Sequence, residues 1–205
     1  MFFLVHTSRR LIVLHALMPG HSYAAFAFTS GMSALMTMTR LCQPGDEILI
    51  GSDIYGGMYR FLTKVAAMQG LVITAVETTD LAAVEAAIKP NTKMLHMETP
   101  SNPLMKITDV RGLSAVLKPR GILLSIDATM MSPYLMKPLA LGADVVVHSA
   151  TKFFGGHADA MGGFVVINDP QMVRAFEKKR GKRRDCEEPL SSIFPLFLMQ
   201  RSPTL

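Results

Sequence analysis

The fold is decided by the stretch Asp144-Val145-Val146-Val147-His148-Ser149-Ala150-Thr151-Lys152-Phe153-Phe154-Gly155-Gly156-His157. Its β-branched run Val145–Val147 is typical of a buried strand, and Lys152 follows soon after that strand ends. A lysine in such a loop is most often a solvated surface residue. Ser149 and Thr151, however, place two hydroxyl groups beside it that can hold a phosphate. The stretch therefore has a second interpretation, a reactive lysine next to an anion site.

Predicted strands and helices alternate on both sides of this stretch. The predicted strands are Glu47–Ile50, Leu71–Val76, Lys93–Glu98, Ile122–Ile126, Val145–His148 and Gly163–Ile167. The predicted helices are one that follows Ser33 and ends near Leu41, one over Met58–Met68, one from Thr79 to Lys89, and two over Asp109–Leu117 and Leu135–Leu141. Alternation at this spacing predicts an α/β fold, with a mostly parallel sheet that has helices on both faces.

The chain divides into three segments by composition. Residues 1–22 contain no Asp or Glu and are interpreted as a divergent leader. Residues 23–167 carry the alternation of strands and helices and are predicted to form one large domain. Residues 168–205 contain the basic run Lys178–Arg184 and several prolines. We expect this last segment to be a divergent, poorly ordered tail.

Composition restricts the class of protein. The 205 residues are 49% hydrophobic and 18% charged, which is typical of a globular domain with one sizeable core. Seven of the 21 Lys and Arg residues lie between Arg174 and Arg184, so the net charge of +5 is local. That basic run has no interleaved aromatic residues, and a nucleic-acid partner is therefore not expected.

Cysteine content and apolar runs bear on location. The two cysteines, Cys42 and Cys186, form no disulfide framework and are typical of a reducing compartment. We expect a cytoplasmic protein, with organelle targeting through residues 1–22 as the alternative. No apolar run approaches the ~20 residues that span a bilayer, so no membrane partner is expected.

Several polar residues follow predicted strands at the edge where α/β sheets bind ligands. Asp127 follows Ile122–Ile126 directly, and Asn102 follows Lys93–Glu98. Ser30-Gly31-Met32 opens a helix, where free N–H groups favour a phosphate, and Tyr55 can face a ring. Each feature alone has a simpler interpretation as a helix cap, a turn or a rigid loop. Together with Lys152 they match the needs of pyridoxal phosphate, namely a lysine for a Schiff base, a carboxylate for the ring nitrogen, a phosphate cradle and a ring partner.

Other kinds of site are not indicated. The chain has no G-x-G-x-x-G after a first strand, no Walker lysine and no G-x-S-x-G elbow. His148 and His157 flank the lysine without the spacing or acidic partners of a zinc site, so no metal is expected.

Residues 23–167 resemble the large domain of the Cys/Met-metabolism family of pyridoxal-phosphate enzymes, which is a fold-type I domain. The motifs that carry the resemblance are Phe28-Thr29-Ser30-Gly31-Met32, Asp53-Ile54-Tyr55-Gly56-Gly57, Glu98-Thr99-Pro100-Ser101-Asn102-Pro103, Ser132-Pro133-Tyr134 and residues 141–163 with the lysine. Among the family, the chain is most similar to the cystathionine β-lyases.

The resemblance implies a role for each site residue. Lys152 would hold the cofactor covalently and move protons, and Asp127 would pair with the ring nitrogen. Tyr55 would stack on the ring and assist proton transfer, and Asn102 would lie near the ring hydroxyl and the substrate carboxylate. The phosphate would be bound by the backbone N–H groups of Gly31 and Met32, with Ser149 and Thr151.

The resemblance also implies a function. It is that of a carbon–sulfur lyase of transsulfuration that acts on cystathionine or a related sulfur amino acid, in a homo-oligomer. The choice among β-elimination, γ-elimination and γ-replacement stays open. The family's amino-terminal arm and its small carboxy-terminal domain have no match here, and Ala128 stands where the family usually has Asn. The alternative is therefore a catalytically incomplete remnant that pairs with a full-length paralogue.

Overall fold

The sheet of this computed structural model is built from short strands. The structure describes residues 3–4, 24–167 and 169–180, and in these ranges one sheet contains eight strands. They are β1 Phe3–Leu4, β2 Ala24–Phe28, β3 Glu47–Gly51, β4 Val72–Val76, β5 Thr92–Glu98, β6 Leu123–Asp127, β7 Val145–Ser149 and β8 Gly163–Ile167. Their order across the sheet is β1-β2-β8-β7-β6-β5-β3-β4.

The pairing of these strands is mixed. The neighbours β4–β3, β3–β5, β5–β6 and β6–β7 are parallel. The strands β1–β2, β2–β8 and β8–β7 pair antiparallel. Because β8 runs against both of its neighbours, β2 and β7 point in the same direction. Six carboxyl ends, those of β2, β3, β4, β5, β6 and β7, therefore meet at one edge of the sheet.

Helices cover both faces of the sheet. The α-helices are α1 Gly31–Met38, α2 Gly56–Arg60, α3 Leu81–Ala87, α4 Val110–Leu117 and α5 Pro170–Arg180. A π-helical segment, Phe61–Ala66, continues α2, and 3-10 turns are found at Thr39–Leu41, Lys118–Arg120 and Pro138–Leu141. This arrangement confirms the predicted α/β class with helices on both faces.

The alternation of side chains along β7 divides the core into two layers. Val145 and Val147 are fully buried on the face that α1 and α2 cover. Val146 is buried on the opposite face, in the layer that includes side chains of α3 and α4. A strand with apolar residues on both faces is the expected result of helices packing on both sides of a parallel sheet.

The predicted cap of α3 is wrong by one residue. Asp80, and not Thr79, precedes the helix, and its carboxylate accepts the N–H groups of Ala82 and Ala83 at 2.9 and 3.1 Å. The hydroxyl of Thr79 instead donates to Glu77 at 2.9 Å. A carboxylate accepts free N–H groups of the first turn well, which favours Asp at this position.

The predicted helix over Leu135–Leu141 is reduced to the 3-10 turn Pro138–Leu141. Pro138 lacks the N–H that a continuous helix would require at that point. The preceding residues form a separate turn, in which the N–H groups of Leu135 and Met136 both donate to the carbonyl of Ser132.

The predicted tail is wrong over its first part. The helix α5, Pro170–Arg180, lies inside the segment 168–205 that was expected to be poorly ordered. Asp169 caps this helix by accepting the N–H of Met172 at 3.0 Å. Phe176 is buried, with its ring centroid 4.8 Å from that of Phe26 in β2. Residues 181–205 lie outside the described part of the chain.

The predicted leader also contributes to the sheet. Phe3–Leu4 pairs antiparallel with β2, with Phe3 opposite Ala27 and Leu4 opposite Phe26. The other residues of the segment 1–22 lie outside the described part of the chain.

In residues 3–4, 24–167 and 169–180, no helix has the length and apolar character needed to cross a bilayer.

Candidate active site

A cavity of about 290 Å³ opens at the edge where the parallel strands end. The eight residues singled out from the sequence all line it. They are Gly31, Met32, Tyr55, Asn102, Asp127, Ser149, Thr151 and Lys152. The fold therefore brings these residues together, although they are spread over 122 positions of the chain, and their individual roles stay predictions.

Gly31 and Ser149 form one wall of the cavity. Gly31 is the first residue of α1, and a Cβ placed on it would lie only 2.7 Å from the Cβ of Ser149. The first N–H groups of a helix have no partner within the helix. The N–H groups of Gly31 and Met32 are therefore able to bind an anion next to Ser149. Ser30 caps the same helix by accepting the N–H of Ser33 at 3.1 Å. The Ser-Gly pair is thus a helix cap and part of the cavity wall.

Asp127 lies on the floor of the cavity as the last residue of β6. It is buried, and its Oδ1 accepts the N–H of Thr129 at 2.9 Å. Burial raises the pKa of this carboxyl, while hydrogen bonds from the hydroxyl and N–H of Thr129 lower it. A buried carboxylate with one side open to a cavity is suited to a cationic partner.

Thr129 links Asp127 to Ser149 across the cavity wall. Its Oγ1 accepts the N–H of Ser149 at 2.8 Å, and its own N–H donates to Asp127. Sequence reasoning assigned no role to Thr129, although it lies two residues after the strand-end aspartate.

Tyr55 lies at the start of α2 with its side chain 44% exposed. Its ring passes over Gly57, where an added Cβ would lie 2.4 Å from the ring carbon Cε1. Gly57 thus leaves room for the ring of Tyr55, whereas a Cβ at Gly56 would meet no atom within 4 Å.

Asn102 is placed by a loop that Asp53 holds. One oxygen of Asp53 accepts the hydroxyl of Ser101 at 2.5 Å and the N–H of Leu104 at 3.0 Å. The half-buried Asn102 lies between these two anchored residues and lines the cavity.

Lys152 extends from a single tight turn after β7. In the segment Ala150–Phe154, Lys152 alone has a non-helical backbone, with φ −92° and ψ −121°. The turn is closed by hydrogen bonds from Gly155 N–H to Ala150 at 2.8 Å and from Gly156 N–H to Lys152 at 2.7 Å. This kink accompanies the placement of the lysine on the cavity that Asp127 also lines.

Glu98 is a further cavity residue to which sequence reasoning assigned no role. It is the last residue of β5, it is 5% exposed, and it accepts the N–H of Tyr55 at 2.7 Å. The signal that could have found it is the same one that identified Asp127, a carboxylate at the end of a buried strand.

Two other residues near the lysine in the sequence, His148 and Ala128, do not belong to the site. His148 faces the opposite side of the sheet, with its ring edge-on to Phe154 at 5.1 Å. Ala128 is buried in the core layer of that opposite face, away from the cavity. In the described ranges, no three His, Cys, Asp or Glu side chains come together as a metal site would require.

The cavity fits pyridoxal phosphate on the observations above. Because Gly31 lies against Ser149, the backbone N–H groups at the start of α1 and the Ser149 hydroxyl form a cradle that can bind a phosphate. The buried Asp127 offers a carboxylate for a protonated ring nitrogen, and the Tyr55 ring is exposed at the mouth. Lys152 supplies an amine on the same cavity.

Comparisons with known proteins point to one family. The sequence profile of the Cys/Met metabolism PLP-dependent enzymes matches residues 13–189, a wider range than the motifs alone indicate. The cystathionine gamma-lyase of Bacillus subtilis (strain 168) is 48% identical over 149 residues, which are 73% of this chain and 39% of the relative. The chloroplastic cystathionine beta-lyase of Arabidopsis thaliana is 45% identical over 150 residues, 73% of this chain and 32% of the relative. The chain thus spans about two fifths or less of these relatives.

Solved structures agree in fold and sequence. The cystathionine gamma-lyase from Lactobacillus plantarum complexed with L-serine matches with a TM-score of 0.76 and 45% identity, over 78% of this chain and 42% of that one. A second match, metB from Corynebacterium glutamicum, has a TM-score of 0.77 and 41% identity, over 85% of this chain and 45% of that one.

Proposed function

The chain belongs to the Cys/Met metabolism family of PLP-dependent enzymes, whose cofactor is pyridoxal 5'-phosphate, and on that premise we propose that the whole protein is a carbon–sulfur lyase. Its proposed substrate is cystathionine or a related sulfur amino acid, since the two curated relatives above are named as cystathionine lyases. One observation carries the proposal: Lys152 and the buried Asp127 line one cavity with the cradle at Gly31 and Ser149.

The proposed binding roles divide the cavity into two ends. The N–H groups of Gly31 and Met32, with the hydroxyls of Ser149 and Thr151, bind the phosphate. At the other end Asp127 pairs with the ring nitrogen and keeps it positively charged. Because Thr129 bonds both to Asp127 and to Ser149, it keeps the two ends at a fixed separation.

The proposed chemistry begins at the α-carbon of the substrate. The bound cofactor supplies an electron sink for the negative charge that develops there. The Nζ of Lys152 takes the α-proton and later returns a proton, and the C–S bond breaks with departure of the thiolate. Tyr55 stacks on the ring and assists this proton transfer, and Asn102 orients the ring hydroxyl and the substrate carboxylate.

The openness of the cavity supports a homo-oligomeric enzyme. Tyr55 is 44% exposed and Lys152 is also exposed, so a further surface is required to exclude water from the reaction. Among the cavity residues that the structure describes, Lys152 is the only cation. We propose that a second copy of the protein covers the cavity and that the partner of the substrate carboxylate comes from outside the described residues.

The proposed location is the cytoplasm, which suits the few cysteines of the chain. A plastid is the alternative, because the Arabidopsis relative is chloroplastic.

Turnover of cystathionine by the protein supplied with pyridoxal phosphate tests the proposal. Cleavage on one side of the sulfur releases pyruvate, and cleavage on the other side releases 2-oxobutyrate, each with ammonia. We expect one of these oxoacids from the wild type and neither from Lys152→Ala. The matched control, Lys137→Ala, removes an exposed lysine outside the cavity and should retain activity. Equal turnover by Lys152→Ala and the wild type would contradict the proposal.

A further inference from the structure

Glu98 and Asp127 form a pair of carboxyl groups on the floor of the cavity. They are the last residues of the neighbouring strands β5 and β6, and the strand register places them directly opposite each other. Glu98 is 5% exposed and Asp127 is 6% exposed, and both line the cavity. The proposed function assigns a task to Asp127 and none to Glu98.

The hydrogen bonds of Glu98 connect two separate segments of the site. Its Oε1 accepts the N–H of Tyr55 at 2.7 Å, at the point where α2 begins. The backbone N–H of Asn102, in the loop that follows β5, is a second donor to the same carboxyl. One side chain therefore attaches both of these segments to the end of β5.

We propose that Glu98 is a positioning residue, whose carboxyl group fixes the backbones of Tyr55 and Asn102 relative to Asp127 on the cavity floor. This inference rests on the proposed function, because the positions it fixes are those of the ring partner and of the residue beside the ring hydroxyl. Small displacements of such groups are costly, since the reaction needs a defined geometry.

The surroundings of Glu98 set its charge. It is faced by Asp127 of β6 and by Asp53 of the loop after β3, and Lys152 lines the same cavity. Burial and the neighbouring Asp127 raise the pKa of Glu98, and the N–H groups of Tyr55 and Asn102 lower it by a smaller amount. The resulting pKa of Glu98 is about 8. Glu98 is then mostly protonated at neutral pH.

Removing the side chain of Glu98 takes away the acceptor of the Tyr55 N–H. An N–H that loses its acceptor is unfavourable, so the start of α2 shifts to find another partner and moves the ring with it. Glu98→Gln preserves shape and offers an amide oxygen to the same N–H. Because Gln is always uncharged, it also mimics the protonated form of Glu98.

The first test needs no cofactor. The amide resonance of Tyr55 is followed by NMR in the wild type, in Glu98→Gln and in the control Glu85→Gln, from about pH 6 to about pH 10. Glu85 is an exposed carboxylate on α3 that pairs with Arg120 of the 3-10 turn Lys118–Arg120. We expect a titration of the Tyr55 amide with a midpoint near 8 in the wild type and in Glu85→Gln, but not in Glu98→Gln. A Tyr55 amide that does not titrate, or that titrates equally in Glu98→Gln, would overturn the inference.

The second test measures binding of pyridoxal phosphate and the visible circular dichroism of the bound cofactor. We expect Glu98→Ala to weaken binding by about tenfold or more and to alter the dichroism, and Glu98→Gln to stay within about threefold of the wild type. Unchanged binding and dichroism in Glu98→Ala, or an equal loss in both variants, would overturn the inference. A wild type that binds no cofactor would contradict the proposed function instead, and the amide titration would still decide the role of Glu98.

Discussion

Gly31 and Ser149 approach so closely that no side chain fits between them. A Cβ on Gly31 would lie 2.7 Å from the Cβ of Ser149 and 2.8 Å from its Oγ. Real Cβ atoms do not come this near to other atoms, so any other residue at 31 would force α1 away from the end of β7. The cradle of N–H groups beside Ser149 therefore depends on a glycine at this position.

Gly31→Ala should weaken binding of pyridoxal phosphate by about tenfold to a hundredfold, because the overpacked side chain shifts the start of α1. Titration of the protein with the cofactor, followed by fluorescence or absorbance, gives the dissociation constant. The matched control is Gly56→Ala, since a Cβ at Gly56 meets no atom within 4 Å and the position is the start of α2. Equal affinities for Gly31→Ala and Gly56→Ala would contradict the proposed cradle.

Asp127→Ala should lower kcat for cystathionine cleavage by more than about a hundredfold, whereas Asp127→Glu should lower it much less. The carboxylate keeps the ring nitrogen positive, and that charge matters most in the transition state, so kcat changes more than KM. Steady-state release of oxoacid measures both constants.

The control for this prediction is Asp144→Asn. Asp144 precedes β7 at the opposite edge of the sheet, where its Oδ2 accepts the N–H of Leu124 at 2.9 Å. Its loss should leave kcat near the wild-type value. Wild-type kcat in Asp127→Ala would refute the pairing of this residue with the ring nitrogen.

His148 should make the folded state less stable in acid. Its ring is buried, neither ring nitrogen has a hydrogen-bond partner, and burial lowers the pKa of His148 to about 4 from an ordinary value of 6.5. Between these values the unfolded chain binds a proton that the folded chain does not. Stability that is present above pH 6.5 is therefore lost as the pH falls toward 4.

His148→Phe should reduce this loss of stability, measured as the free energy of unfolding in urea at about pH 5 and about pH 8. The comparison of the two pH values cancels any constant effect of the larger ring. His157→Phe alters an exposed histidine and should leave the pH dependence unchanged. A pH dependence that is the same in His148→Phe and the wild type would show that His148 is not the group responsible. His96, which is buried and has its pKa lowered to about 4, would then be the next candidate.

Phe176→Ala should destabilise the chain by about 3–5 kcal/mol, because the ring is fully buried against Phe26. Denaturant unfolding of the variant and of Arg174→Ala, an exposed position on the same helix, measures the effect. The control should change stability by less than about 0.5 kcal/mol. A similarly small effect of Phe176→Ala would mean that α5 does not belong to the folded core.

Local sequence patterns were sufficient to predict most of the sheet and the place of the site. The run Val145–Val147 forms a strand because β-branched residues pack well between two helical layers. Asp127 and Lys152 meet because parallel strands bring their carboxyl ends to one edge. The sequence order of the motifs therefore carried enough information to place the cavity, although not to test the role of each residue.

Other features depend on contacts that are distant in sequence. The importance of Glu98 depends on its register with Asp127 and on the N–H of Tyr55, 43 residues away. The helix α5 was missed because the basic residues after Phe176 obscure its apolar face of Met172, Val173 and Phe176, which packs on the first core layer. In both cases the deciding interaction is tertiary, and local propensity does not reveal it.

The most direct test of the central claim is to locate the cofactor on the chain. The protein is incubated with pyridoxal 5'-phosphate, reduced with borohydride and digested, and the modified peptide is identified by mass spectrometry. We predict one stoichiometric adduct on Lys152, which is lost in Lys152→Ala and retained in Lys137→Ala. An adduct on another lysine, or adducts spread over many lysines at low occupancy, would contradict the assignment of this cavity as a pyridoxal-phosphate site.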